Sequence, residues 1–154
     1  MAATIEDYQP KYQGAFRSLN EEWISSYFEM EEADHKALEH PQEYILNRGG
    51  FIFVAVLDSE PVGVCALVKR ADLDAYELAK MAVSPKAQGN KIGFLLGQAA
   101  IAKARSLNAS RVYLDSNTKL APAIRLYEKL GFVRVTGLPT RYIRVDIQME
   151  LKLK

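Results

Sequence analysis

The stretch Met81-Ala82-Val83-Ser84-Pro85-Lys86-Ala87-Gln88-Gly89-Asn90-Lys91-Ile92-Gly93 decides how the rest of the chain is read. It runs from an apolar strand, through a proline turn and a glycine-bearing loop, into a helix. A helix start exposes backbone N–H groups that lack intrahelical acceptors, and it carries a partial positive charge. Gly89 lets a ligand come close to the backbone. Together these suit an anion such as a pyrophosphate. No Gly-Lys-Ser/Thr follows, so this is no Walker A loop, and Gly-x-Gly-x-x-Gly is absent, so it is no dinucleotide fingerprint. On the residues alone a second reading stays open, in which Gly89 and Gly93 serve a tight turn and helix packing.

Outward from this junction the pattern alternates strand and helix. Downstream, Ile92, Leu95, Leu96, Ala99, Ala100 and Ala102 predict a long helix over 92–107. Arg111–Asp115 reads as a strand, Ala121–Leu130 as a helix stopped by Gly131, and Phe132–Val135 as a strand. Ile143, Val145, Ile147, Met149 and Leu151 alternate, predicting a last strand over 143–151 with one buried face. Upstream, Ala75–Val83, Val62–Lys69 and Phe51–Leu57 read as strands, the latter two as a hairpin about Asp58–Pro61. Before them come a short strand at Thr4–Tyr8 and a helix carrying Tyr12, Phe16, Leu19, Trp23 and Ile24. A second helix runs through Ala33–Leu38, and one more helical turn covers Gln42–Asn47. The order βααβββαβαββ predicts an α/β chain with a mixed, mostly antiparallel sheet flanked by helices, in one domain over residues 1–154.

The composition limits the function classes. Of 154 residues, 49% are hydrophobic and 25% charged, enough apolar material for a core. The net charge of +1 argues against a nucleic-acid binder, but it is unevenly spread. Residues 1–50 carry −6, residues 51–84 carry −2 and residues 85–154 carry +9. A basic half points to an anionic ligand. Cys65 is the only cysteine, so no internal disulfide forms, and His35 and His40 lack the carboxylate spacing of a metal site. No apolar run approaches the ~20 residues that span a bilayer, and Met1–Asp7 lacks a signal-peptide pattern. A cytoplasmic protein is expected.

Two motifs together carry a family resemblance. Gln88-Gly89-Asn90-Lys91-Ile92-Gly93, preceded by Ala82-Val83-Ser84-Pro85, resembles the Gln/Arg-x-x-Gly-x-Gly/Ala motif of the GNAT acyl-CoA N-acyltransferase superfamily. Leu126-Tyr127-Glu128-Lys129-Leu130-Gly131-Phe132 is similar to its second motif. The element order is similar over nearly the whole chain. Two positions depart: Lys91 stands where the family usually has Gly, and Leu120 where many members have Asn, with Asn117 three residues earlier.

The resemblance implies a GNAT fold with a splayed sheet and acetyl-CoA as donor. It implies that the pyrophosphate lies on Gln88, Gly89, Asn90, Lys91, Ile92 and Gly93, and the pantetheine along Met81, Ala82 and Val83. The Met81 N–H would polarise the thioester carbonyl, with Asn117, Tyr127 and Lys129 completing the cofactor set. Glu77 is the candidate general base and Tyr127 the candidate general acid. Strand alternation puts Glu77, Ala79, Met81 and Val83 on one face and Leu78, Lys80 and Ala82 on the other.

The acceptor is expected to be a primary amine of a small molecule or peptide. It would lie near the N-terminal helices, where Glu21, Glu22, Glu29, Glu31, Glu32 and Asp34 interleave with Trp23, Tyr27 and Phe28. Acids with aromatics suit a cation. Tyr27, Glu29 and Tyr142 are the acceptor-site candidates. Among similar proteins a homodimer through the final strands is common. The alternative is a catalytically weak acyl-CoA-binding regulatory or interaction domain.

Overall fold

In the computed structural model, which describes residues 2–154, the chain forms β1 (Thr4–Asp7), α1 (Gln13–Tyr27), α2 (Glu32–Glu39), α3 (Pro41–Tyr44), β2 (Phe51–Leu57), β3 (Glu60–Arg70) and β4 (Ala75–Val83). It continues with α4 (Ile92–Ser106), β5 (Arg111–Ser116), α5 (Ala121–Leu130), β6 (Val133–Val135) and β7 (Ile147–Lys152). One seven-stranded sheet has the order β1-β2-β3-β4-β5-β7-β6. Every pairing is antiparallel except β4 with β5. The apolar stripes on both sides explain this layering. Leu78, Leu96, Ala100, Val112, Leu114 and Met149 pack between the sheet and α4. Phe16, Ile24, Leu38, Ile45, Val54 and Val64 pack between the other face and α1–α3.

Two irregularities in β4 create the site. The parallel pairing with β5 holds only at Tyr76–Val112 and Glu77–Tyr113, after which the strands part. Beyond Glu77, β4 therefore has a free edge facing the gap. The second irregularity is a β-bulge against β3: Ala66 pairs with Ala79 and Val64 with Ala82, so Lys80 and Met81 both stand opposite Cys65. Lys80 takes the left-handed conformation (φ +53°) to make the bulge.

The bulge corrects the expected strand alternation. An extra residue inverts the facing of everything after it. Leu78, Met81 and Val83 pack toward α4, whereas Ala82 packs with Phe16 and Ile24. Lys80, expected opposite Glu77, lines a cavity beside it. A second correction concerns the C-terminal strand. β7 begins at Ile147 rather than 143, and Ile143 is 94% exposed. The segment before it is instead tied down by polar contacts, described below.

Candidate functional site

The junction after β4 is the first part of the site. Pro85–Ala87 forms a single tight turn, and Gly89 (φ +90°) and Lys91 (φ +58°) both adopt left-handed backbone before α4 begins. Lys91 thus occupies a conformation that favours glycine. A side chain there costs about 1 kcal/mol. Gly93 and Gly97, one helical turn apart, allow α5 to approach. A Cβ on Gly93 would lie 3.0 Å from Leu126 Cδ2, and one on Gly97 only 2.5 Å from Leu130 Cδ1. Gly93 therefore serves helix packing as well as the loop.

Between α4 and α5 lies a groove of about 1070 Å³. Val83, Gln88, Gly89, Lys91, Gly93 and Lys129 line it, with Arg125. Lys91, Arg125 and Lys129 face one acid, Glu128. With the first-turn amides of α4, this lining suits an anion, and the groove has room for a nucleotide. Ile92 contributes to its wall and the core at once. Ala82 does not reach the groove, and Asn90 turns its amide back onto the Ala87 carbonyl at 3.0 Å.

Where β4 and β5 part there is a smaller cavity of about 100 Å³. Met81, Asn117, Leu120 and Tyr127 line it with Asn20, Trp23 and Glu77. Trp23, on the apolar stripe of α1, packs against the core and forms a wall of this cavity. Asn117 closes the turn before α5, donating to the Arg144 carbonyl at 2.6 Å and accepting from the Lys119 N–H at 2.9 Å. Burial pushes the Tyr127 hydroxyl up to about 12, so it stays protonated at neutral pH. Asn20 donates to the Phe16 carbonyl at 3.0 Å, while its buried Oδ1 has no hydrogen-bond partner among the described residues. That leaves an acceptor for a bound ligand.

Glu77 lies at the vertex of the fork and lines both this cavity and a third one. Desolvation by burial, helped by the nearby Asp115 charge, raises its pKa above the ordinary glutamate value. Arg70, 3.6 Å away, and the Tyr113 hydroxyl, donating at 3.2 Å, oppose that rise. A carboxylate so placed can take a proton from an amine.

The third cavity, of about 480 Å³, lies between α2, the Leu46–Arg48 turn and the loop before β7. Asp34 organises its edge. This carboxylate is fully buried and accepts four hydrogen bonds: from the Glu31 N–H, from Arg144 Nη1 and Nη2 at 2.6 and 2.8 Å, and from Lys80 Nζ at 2.5 Å. Against the cost of burial, these partners hold it down at about 2. Lys80 also donates to the Tyr142 hydroxyl at 2.9 Å. That bond holds Tyr142 at the wall of the cavity.

The other expected acceptor residues lie elsewhere. Tyr27 is 48% exposed and packs tilted against Trp23, and Glu29 is exposed on the turn after α1. Neither lines the fork or the third cavity. Of the acids on that side, Asp34 is engaged by Lys80 and Arg144, and Glu31 by Arg144. Sequence reasoning missed Arg70 and Tyr113, and it had Asp34 only as one acid among six rather than as the centre of this cluster. For Asp34 a signal existed: Glu31 and Asp34 form a reciprocal capping box at the start of α2.

The model of the acetyltransferase (GNAT) family matches residues 16–132. The chain belongs to this family. Its fold agrees with that of a GNAT acetyltransferase from Staphylococcus aureus Mu50, with TM-score 0.89 at 24% identity over 99% of this chain and 100% of that one. The protein yncA of Salmonella typhimurium, solved with its cofactor acetyl-CoA, superposes with TM-score 0.76 at 18% identity, over 100% of this chain and 95% of that one. Among curated relatives, the N-acetylaspartate synthetase of Danio rerio is 37% identical over 92 residues, which are 60% of this chain and 33% of that protein. The GNAT chain therefore spans about a third of the length of that relative. The family is one of acetyltransferases that use acetyl-CoA. Among the described residues no helix is long and apolar enough to cross a membrane.

Proposed function

We propose that this GNAT acetyltransferase transfers the acetyl group of acetyl-CoA to the primary amine of a small molecule, by direct attack and without a covalent enzyme intermediate. Acetyl-CoA supplies the acetyl group as a thioester. The α4–α5 groove, with Arg125, Lys129 and the backbone of the loop from Gln88 to Gly93, holds its phosphates, and the free edge of β4 past Glu77 receives the pantetheine. An amide near Met81 at the bulge polarises the carbonyl. As the N–C bond forms, Glu77 takes the amine proton. As the C–S bond breaks, Tyr127 gives its proton to the sulfur.

One observation carries this reading: Glu77, with its raised pKa, lines both cavities at the fork, so it can touch an amine delivered from one and a thioester from the other. The curated relative's name, for an acetylated amino acid, supports including amino acids among the amines to test. Steady-state release of free thiol decides the point. Glu77→Gln and Tyr127→Phe should each lower kcat by about 10²–10⁴-fold with unchanged CoA affinity. Near-normal rates in both would overturn the assignment. CoA binding with no turnover on any amine would favour a regulatory acyl-CoA-binding domain instead.

A further inference from the structure

The third cavity has a divided charge. Of the four carboxylates that line it, Glu31 and Glu32 are held by Arg144 and Lys36, which leaves Glu77, which is buried, and Asp115, which accepts from Gln148 Nε2 at 2.9 Å. At its mouth stand the exposed Arg48 and Arg141. Neither makes an ion pair among the described residues. The remaining bases that line it are already engaged: Lys36 by Glu32, Arg70 by Asp72 and Lys80 by Asp34. Arg48 is also steered, with its guanidinium 4.8 Å from the centre of the Tyr44 ring. Two exposed guanidiniums that make no ion pair, of which Arg141 also lies within reach of the Asp72 charge, stand beside a volume of about 480 Å³ and suit anionic groups.

We propose that the acceptor is an amino acid with a side-chain carboxylate, its amine toward Glu77 and Asp115 and its two carboxylates toward Arg48 and Arg141. This rests on the acetyltransferase reading above. A polyamine would press a second ammonium against the two free guanidiniums. A neutral amine would engage neither. Guanidinium suits a carboxylate because its planar fork donates two parallel hydrogen bonds.

The experiment compares aspartate, glutamate, asparagine, glutamine and spermidine as acceptors with acetyl-CoA, in the wild type, Arg48→Gln and Arg141→Gln. The expected result is a preference of about 10-fold or more for each acid over its amide. Each variant should raise KM for the acids by about 10-fold or more and shrink that preference, with a smaller effect on kcat. Preference for spermidine or an amide, or an acid-to-amide ratio untouched by either variant, would overturn the proposal. Calorimetric titration of aspartate and glutamate into the CoA complex decides it independently of turnover. Saturable binding that weakens in Arg48→Gln supports it, and no binding of either at tens of millimolar overturns it. Transfer to another amine in that last case would leave the acetyltransferase reading intact.

Discussion

Glu77 and Tyr113 are partners on the last parallel rung of the sheet, and the Tyr113 hydroxyl donates to Glu77 Oε1 at 3.2 Å. Tyr113 in turn accepts from Arg70, so a buried chain runs from an arginine to the candidate base. A hydrogen bond to the charged carboxylate favours that form. Tyr113→Phe removes it and should raise the Glu77 pKa further. The base must be ionised to act, so the acidic limb of the kcat/KM profile should move to higher pH. In Glu77→Gln the limb should vanish. A limb that stays in place in Tyr113→Phe would mean that the tyrosine does not tune the base.

Asp34 should matter most for stability. Its carboxyl is held at about 2 in the folded state, against an ordinary value of 3.8. A depressed folded value gives stability that is present above the ordinary value and lost as pH falls from about 4 toward 2. Asp34→Asn leaves Lys80 and Arg144 without their shared counter-charge. The expected loss is on the order of 3 kcal/mol at pH 7. Urea denaturation at pH 7 and pH 3 tests both points. The gap between wild type and variant should narrow at pH 3, and a variant as stable as wild type at pH 7 would refute the role.

Lys91→Gly should relieve the left-handed strain at the head of α4. The gain is at most about 1 kcal/mol, because glycine also loosens the unfolded chain. CoA affinity should stay equal or improve. A several-fold loss of affinity would show instead that the Lys91 ammonium touches the cofactor phosphates.

Gly97→Ala should push α5 away from α4, because its Cβ meets Leu130 Cδ1 at 2.5 Å. The leucine can yield in part, so the expected cost is about 1–2 kcal/mol. The two helices are the walls of the phosphate groove, so CoA binding should weaken in the same variant. Thermal unfolding together with calorimetry checks the pair of effects, and wild-type values in both would remove the packing argument.

Much of the architecture was legible because long periodic segments report themselves. The helix at 92–106 and the strands at 51–57 and 75–83 have clear apolar patterns, and the loop at 88–93 carries its motif in contiguous residues. What was illegible depends on residues far apart in the chain. The pairing of Asp34 with Lys80 and Arg144 spans 46 and 110 positions. The bulge at Lys80 leaves no mark in composition, so simple alternation misplaced Met81, Ala82 and Val83. Ile143 continues the alternation of β7 in sequence, yet it stands outside the strand because Arg144 and the Ile143 N–H are drawn to Asp34 and Glu31. Tyr27 and Glu29 looked like acceptor residues by type alone, and their positions on α1 and the turn after it lie away from the cavity.

The bulge has a consequence for insertions and deletions. Removing either Lys80 or Met81 would give β4 an unbroken ladder against β3, with Ala82 still opposite Val64 and still on the side of Phe16 and Ile24. The strand beyond and the loop that follows would keep their facing. What a deletion takes away is one of two side chains that share a single rung: the ammonium that pairs with Asp34, or the thioether packed toward α4. The extra residue lets one rung of the sheet serve both of its faces.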